Sequence, residues 1–464
     1  MAEPSLRRDL SEVFLEQGIQ DTHFFNGRLL TAEDLEHIQD ASRRRDHQLG
    51  LALGTGVVSG LEVRLVKDGT DNKPPVLAVS KGLAITPLGG AVALAQDAEV
   101  LLAKEKPGKI PEAGMFDYCL PLQQDNKPLP GKGVYIFTIR PASDYQGLAP
   151  RRGFGQAAKV EGCDRDLLLE GAQFRFLSID IDQLDNVAES TRTALKDLLK
   201  QTEQAGQTGF AAQNKLRNWL AHVCFGTEEL AAFIADPFSR PSGISPFESY
   251  GAVDTLRKKG LIDDCDVPLA LVCWTSTGVK WVDMWSVRRR PMPPGRTMFW
   301  PLPISARRIA EGEALFYQFQ SQIDDLVSTA KTASFLNLMI GRNNFRYLPP
   351  AGFLPLIGPK TNFGYTAQQF FLNVKVRSLI NVDERLYSQG SAIMALVNES
   401  LLYPSIDLEN PELVWVYRVR ENQFDVDTGT PPVTRPYVIF ANGHIPYRGD
   451  ARFDLGYWEY SNFA

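Results

Sequence analysis

The hydrophobic period changes twice along the chain, and no other feature of the sequence constrains the fold as strongly. Residues 54–140 carry short apolar runs between turns that contain glycine and proline, a pattern typical of strands. From residue 184 the apolar positions recur at steps of three and four, which predicts helices. Short strand patterns return after residue 346. The sequence therefore predicts an α+β fold, in which β-rich N-terminal and C-terminal regions flank a helical middle region.

The chain of 464 residues is longer than one hydrophobic core usually organises, so we expect two or three domains of roughly 100–200 residues each. We place the boundaries where the period changes. Residues 1–181 are predicted to form an N-terminal β-rich domain with an initial helix, arranged as a sandwich or open barrel. Residues 182–345 are predicted to form a mainly helical domain with a β-hairpin, and residues 346–464 a C-terminal β-rich domain.

Local signals predict individual elements within these regions. Thr31 and Asp34 have the spacing of a helix N-cap, and Gly50 is a natural stop for that helix. The residues expected on its buried face are Leu35, Ile38, Ser42 and Leu49. The patterns further predict strands at 134–139 and 174–181, a helix over 184–205, and a hairpin formed by 267–274 and 280–287.

The longest regular pattern lies in residues 305–333, where two sets of residues repeat every seven positions. The repeat predicts a helix with one apolar stripe, which consists of Phe316, Phe319, Ile323 and Leu326. Two uses of this stripe are open. We favour packing within the chain, against the predicted helix at 184–205; the other use is a contact shared with another subunit.

Charge and hydropathy exclude several classes of protein. The formal net charge of −6 argues against a nucleic-acid-binding protein with a broad basic face. The longest uncharged run has 15 residues and contains Pro87, so we expect no direct insertion into a membrane. The N-terminus lacks the apolar core of a signal peptide. Five cysteines without a CxxC spacing fit a reduced compartment and no disulfide framework. We therefore expect a soluble protein that is cytoplasmic at synthesis.

Residues that could support catalysis do not form a recognisable pattern. Five histidines occur without an HExxH motif, and neither a GxSxG elbow nor a P-loop is present. No cysteine has a histidine at a spacing that marks it as a nucleophile. The acidic clusters do not match the twelve-residue calcium loop. We therefore predict that the protein is not an enzyme and has no catalytic, cofactor-binding or metal-binding residues.

Two basic segments consist of three consecutive arginines each, at residues 43–45 and 288–290. The second triplet lies near Trp281 and Trp285, so aromatic stacking on a single nucleic-acid strand or a sugar is conceivable. Because the chain has no wider basic excess, we favour a structural or protein-contact role for both triplets.

Several segments resemble a family of proteins that are encoded with contractile injection systems and phage tail-like particles. The segments that carry this resemblance are residues 24–35, 56–63, 79–89, 347–355 and 446–454. The resemblance implies a structural role and carries no catalytic residues across. It implies a particle component at or around the baseplate, such as a fibre anchor or peripheral casing. Its partners would be baseplate, sheath or fibre proteins in multiple symmetric copies.

The residues Phe24 and Phe25 adjoin a predicted tight turn at Asn26 and Gly27, followed by Arg28. Such a pair of aromatic side chains could anchor in a pocket of a partner, or it could pack under the first helix of the chain itself. Together with the stripe over residues 316–326, these residues form the candidate interface.

Two other functions compete with the scaffold role. One is a fibre or adhesin that binds carbohydrate or a surface through Trp415 and Trp458. The other, which we favour less, is a particle-borne cell-wall hydrolase.

Overall fold

A computed structural model describes most of the chain. The described residues are 18–69, 74–102, 133–152, 160–235, 250–275, 277–292, 306–329, 340–355, 369–374, 376–378, 387–388, 397–410, 414–419 and 437–442. Strand-rich regions flank a more helical middle, which confirms the predicted α+β fold.

The helices lie mainly in the middle of the chain. Their bounds are α1 Ala32–Leu53, α2 Glu189–Gln201, α3 Gly206–Cys224, α4 Thr227–Ala235, α5 Ala252–Lys258, α6 Ala306–Thr329 and α7 Gly341–Asn344.

The strands fall into two groups along the chain. Those before α6 are β1 Gly56–Gly60, β2 Val63–Lys67, β3 Val76–Val79, β4 Gly82–Ile85, β5 Ala91–Leu94, β6 Ala98–Leu101, β7 Gly133–Arg152, β8 Val160–Ile179, β9 Val267–Thr275 and β10 Gly278–Asp283. Those after it are β11 Tyr347–Leu348, β12 Ala351–Pro355, β13 Val376–Ser378, β14 Tyr387–Ser388, β15 Ile406–Asp407, β16 Val414–Val419 and β17 Tyr437–Asn442.

The first group of strands forms three antiparallel sheets on a shared core. Two of them have three strands, in the orders β1-β4-β5 and β2-β3-β6, and the third has the order β10-β9-β7-β8. Val57 of β1, Leu77 of β3 and Phe137 of β7 belong to one buried cluster, which also includes Leu269 of β9. The strands therefore stabilise one another by burying their inward apolar faces against a neighbouring sheet.

The four-stranded sheet crosses the predicted domain boundary after residue 181. Strand β7 pairs with β8 on one edge and with β9 on the other, with Val134 opposite Cys273. The hairpin expected at 267–287 is present, but its second strand ends at Asp283. The carboxylate there accepts hydrogen bonds from the backbone N–H groups of Trp285 and Ser286, and these bonds turn the chain. The three-domain division stays a prediction, with one boundary falling inside this sheet.

Helix α1 begins at its predicted cap but continues one turn past Gly50. That glycine lies so close to Gly89 that an added Cβ would be 2.0 Å from the Gly89 carbonyl oxygen. The predicted buried face is wrong: Leu35 and Leu49 are exposed, and the helix buries Asp34 and small residues instead. The buried face of α1 is therefore made by small residues that allow a close approach, as at Gly50.

The predicted helix at 184–205 is shorter in the structure. Asp180 caps a short 3₁₀ turn at Ile181–Gln183, and α2 begins only at Glu189. Leu184 is buried before the helix starts and is not on its face. The prediction missed this break because the spacing of apolar residues continues through the turn.

The apolar stripe of α6 lies in the core of the chain itself. Phe319, Ile323 and Leu326 are buried in a cluster with Phe440 of β17. Phe316 is partly buried and packs on Phe353 of β12, with the ring centroids 5.3 Å apart. The stripe therefore packs against the C-terminal sheet, where β12, β17, β16 and β13 are neighbours. The prediction that the stripe packs against the helix at 184–205 was wrong.

Candidate functional site

The most conspicuous exposed apolar feature of the described residues is a segment that precedes and enters α1. We call residues 22–35 the N-terminal hook. Its five large apolar side chains are between 51% and 83% exposed, and they are Phe24, Phe25, Leu29, Leu30 and Leu35. Scattered exposed apolar residues are ordinary on a protein surface, but here five lie within 12 consecutive residues, which makes this segment the candidate contact site.

A turn at the start of the hook is closed by Arg28. Gly27 has a φ of 92°, which glycine adopts without strain, and the N–H of Arg28 donates to the Phe25 carbonyl at 3.2 Å. The Arg28 guanidinium donates to the His23 carbonyl at 2.6 Å and pairs with the Asp34 carboxylate. It also lies 5.9 Å from the centre of the Phe25 ring. The arginine thus fixes both ends of the turn that carries the phenylalanines.

The end of the hook is fixed by the cap of α1. The Thr31 hydroxyl accepts from the Asp34 N–H, and the Thr31 N–H donates to the Asp34 carboxylate at 3.1 Å. The Thr22 hydroxyl donates to the Asp34 carbonyl at 2.9 Å. The backbone N–H of Thr31, followed by its hydroxyl and Arg28, lowers the pKa of Asp34 from its usual value. The carboxylate is therefore ionised at neutral pH and ties the loop to the helix.

The hook presents apolar side chains on a loop that is already ordered. Burying one large apolar side chain in a partner is worth roughly 1.5–3 kcal/mol. Because the backbone is fixed before contact, less of that free energy is lost to ordering on binding. The candidate interface residues Phe24, Phe25, Asn26, Gly27 and Arg28 come together here, and the phenylalanines do not pack beneath α1.

Sequence reasoning missed part of this surface. Leu29 and Leu30 were not singled out, although they directly follow the predicted turn, and Leu35 was assigned to the buried face. The density of apolar residues around one Asn-Gly turn was the signal that could have found them. The α6 residues of the candidate interface are not part of this surface, because Phe319, Ile323 and Leu326 are core residues.

Burial shifts the pKa of several titratable side chains in the middle region. Burial, followed by the charges of Arg346 and Arg308, lowers the pKa of His222 to about 3. Burial raises the pKa of Cys224 and of Cys273 to about 12, so neither thiol is a ready nucleophile at neutral pH. Cys265 is disulfide-bonded, whereas Cys224 and Cys273 are free thiols. In the described part of the chain, no cluster of three metal-ligating side chains occurs.

The arginines of the second triplet make contacts inside the chain. Arg288 donates to the Leu61 carbonyl at 2.9 Å and to the Gly60 carbonyl at 2.5 Å. Arg289 lies 3.9 Å from the centre of the Phe225 ring. These guanidinium groups bind carbonyls of distant segments, which is the structural role that we favoured.

The first triplet forms ion pairs on the surface of α1. Arg44 pairs with Asp40 at 2.8 Å, and Arg43 pairs with Glu170 of β8 at 3.0 Å. Arg45 pairs with Asp21 at 2.9 Å. Much of the positive charge of the triplet is therefore offset by neighbouring carboxylates.

Within the described residues, no helix combines the length and the hydropathy needed to cross a membrane. No protein-family model matches the chain, and no curated protein matches it. Among solved structures, the chain is similar to one described as the crystal structure of TssK, with 10% sequence identity and a TM-score of 0.20. The alignment covers 52% of this chain and 67% of that chain. A TM-score this low carries no argument about fold or function.

Proposed function

We propose that the protein is a non-catalytic structural subunit of a phage tail-like contractile injection particle. Its place in the particle is at or around the baseplate, as a fibre anchor or part of a peripheral casing. Its partners are baseplate, sheath or fibre proteins, present in multiple symmetric copies. The observation that carries the proposal is the N-terminal hook, whose ordered backbone holds five exposed apolar side chains.

Two features support a permanent contact at the hook. Aromatic and other apolar anchors at the centre of an interface contribute most of its binding free energy. An anchor that is ordered before binding also avoids the entropic cost of folding on contact. The resemblance of residues 24–35 to proteins encoded with such particles includes the hook itself and supports the kind of particle.

One of the two tryptophans on which the carbohydrate-binding alternative depends is buried. Trp415 is buried in a cluster with Leu401 and Ile439, so its ring cannot stack on a sugar without unpacking that core. Trp458 lies outside the described residues. A glycan array and a peptidoglycan lysis assay on the full chain test the adhesin and hydrolase functions, and specific binding or lysis would favour one of them.

The proposal is tested by purifying particles from cells that produce them and washing them stringently. The protein should co-sediment with intact particles and occupy a fixed symmetric position in their density. The double variant Phe24→Ser/Phe25→Ser should still fold, because both side chains are exposed, but its amount in washed particles should fall at least about tenfold. Absence of the parent protein from washed particles would show that it is not a subunit.

A matched control separates the hook from exposed apolar surface in general. Leu30 and Leu261 are both exposed leucines, and the second lies in a turn after α5. We expect Leu30→Ser to reduce incorporation and Leu261→Ser to leave it at the parental level. If both leucine variants and the double phenylalanine variant are incorporated equally, the hook is not part of the interface.

A further inference from the structure

A cavity of about 350 Å³ lies where the middle helices meet the C-terminal strands, and it is distinct from the N-terminal hook. Its wall is built from five separated segments: the starts of α2, α4 and α6, strand β11, and the residues around β15. The side chains that give it polar character are Thr191, Glu228, Arg308, Arg346, Tyr347 and Asp407. The volume is near the lower limit of ligand pockets, which suits a small molecule.

One side of the cavity carries a cation with unused donors. Arg308 is only 5% exposed, and its Nη1 donates to Glu311 at 3.1 Å. Its Nε and Nη2 groups have no hydrogen-bond partner among the described residues. Glu311 also accepts from Arg307 and from the Tyr250 hydroxyl, so three donors share its carboxylate. A guanidinium this well buried favours an anionic partner at its remaining donors.

The cavity also carries a carboxylate, Glu228, whose hydrogen bonds come from neutral hydroxyl groups. Glu228 accepts from the Thr191 hydroxyl at 3.0 Å and from the Tyr347 hydroxyl at 3.4 Å. Among the described residues, no lysine or arginine forms an ion pair with it. The other two charged side chains neutralise each other, because Arg346 pairs with Asp407.

Around the cavity, Arg308 therefore keeps free donors beside its ion pair with Glu311, and Glu228 forms no ion pair with the described residues. Burial and the nearby cations keep His222 neutral, since they lower its pKa to about 3, so it adds no further positive charge. A phosphate-like polyanion would meet the Glu228 and Asp407 carboxylates, and a simple amine would meet two guanidinium groups. A small molecule with one carboxylate and one ammonium group satisfies both the free donors of Arg308 and the Glu228 carboxylate.

We propose that this cavity binds a small zwitterion of the amino-acid class, with its carboxylate on Arg308 and its ammonium group on Glu228. The hydroxyls of Ser190, Thr191 and Ser405 lie in the same wall and can orient the polar end of the ligand. Ala231, Leu230 and Pro404 line the apolar part of the cavity, which favours a short aliphatic side chain on the ligand.

The test uses the full chain and isothermal titration with alanine, serine and valine as probes. Binding in the range of about 1 mM or tighter is expected for at least one of them. N-acetyl-alanine and alanine methyl ester each lack one of the two charges, so each should bind at least about tenfold more weakly than alanine. Because this comparison changes only the ligand, it does not depend on any variant folding.

A pair of variants assigns the binding to the cavity. Glu228→Gln keeps groups that can bond Thr191 and Tyr347 but removes the charge, and it should weaken binding of the amino acid at least about tenfold. Asp264→Asn makes the matching change at an exposed ion pair with Arg257 and should leave binding unaltered. No binding of any probe at about 10 mM would overturn the proposal. Binding that survives both blocked ligands, or survives Glu228→Gln, would also overturn it.

Discussion

The side chain of Asp34 connects the hook to α1, and the order of the hook should depend on it. Its carboxylate pairs with Arg28 and accepts from the Thr31 N–H. Asp34→Asn removes the charge that holds the Arg28 guanidinium, so trypsin should cleave after Arg28 several-fold faster at neutral pH. Limited proteolysis followed by mass spectrometry measures this rate. Glu33→Gln removes a neighbouring charge in the first turn without touching the capping box, and cleavage there should be unchanged.

The same carboxylate predicts how the hook responds to acid. The hydrogen bond from the Thr31 backbone, with further help from its hydroxyl and from Arg28, lowers the pKa of Asp34 in the folded protein. A lowered pKa means that the ionised form adds stability above the unfolded value, about 3.9. This stability is lost as the pH falls through the lower, folded value. The NMR signals of Gly27 and Thr31 should therefore stay constant from pH 7 to about 5 and change only in stronger acid. A change centred near neutral pH would contradict this.

A third residue-scale prediction concerns Asp283, which is fully buried at the end of β10. Its carboxylate accepts from Arg217 Nε at 2.6 Å and from Gln318 at 3.1 Å. Asp283→Asn leaves the buried Arg217 guanidinium with the exposed Asp325 carboxylate and the Ser321 hydroxyl, so the unfolding free energy should fall by roughly 3 kcal/mol. Asp325→Asn makes the same change at an exposed partner of Arg217 and should cost at most about 1 kcal/mol. Chemical denaturation of both variants measures the difference, and equal losses would contradict it.

Contacts between residues close in the sequence could be predicted, whereas contacts between distant segments could not. The Thr31–Asp34 cap is visible in the sequence because its two members are three positions apart. Arg288 bonds to the Leu61 carbonyl, 227 positions away, and no local pattern marks such a contact. The cavity around Arg308 has the same origin, since its wall comes from segments between residues 188 and 407. Its charges become neighbours only after the chain has folded.

Among the elements, α6 offers the sharpest test of packing. The Phe319 ring lies 5.1 Å from the Phe345 ring and 5.2 Å from the Phe440 ring, centre to centre. Phe319→Ala leaves a cavity between α6 and the C-terminal sheet, and it should lower the unfolding free energy by about 3–5 kcal/mol. Ile309→Ala, at an exposed position of the same helix, should change it by at most about 0.5 kcal/mol. Thermal and chemical unfolding of the isolated chain measures both. If the thermal unfolding curve of Phe319→Ala is unchanged, the stripe serves a contact with another subunit and not the core of this chain.

The period of apolar residues predicted that α6 has a buried stripe but not what covers it. Heptad spacing is the same whether the partner is a helix or a sheet, and here it is the sheet that contains β16 and β17. In α1 the same reasoning failed, because Ala41 and Gly50 provide the buried contacts and Leu35 and Leu49 do not. Periodicity finds a face when large side chains fill it, and it misses a face that packs through small ones.

At the scale of the whole molecule, the four-stranded sheet shows that the first two predicted domains depend on each other. Strand β7 from the first region lies between β8 and β9, and β9 belongs to the second region. Phe137 and Ile139 of β7 share a buried cluster with Val267 and Leu269 of β9. A cut at residue 181 would therefore expose both an edge of β7 and the apolar side chains beneath it.

The last prediction follows from this dependence and compares two N-terminal fragments. Residues 1–181 alone lack β9, and each large apolar side chain left uncovered costs roughly 1.5–3 kcal/mol. Since whole domains are stable by only roughly 5–15 kcal/mol, this fragment should not fold cooperatively. Residues 1–292 retain all four strands and the cluster around Phe137, so they should fold. They should melt below the full chain, because α6 and its bond from Gln318 to Asp283 are missing. Circular dichroism melts and NMR dispersion of both fragments measure this. A cooperative melt of residues 1–181 would restore the domain boundary that the sequence predicts.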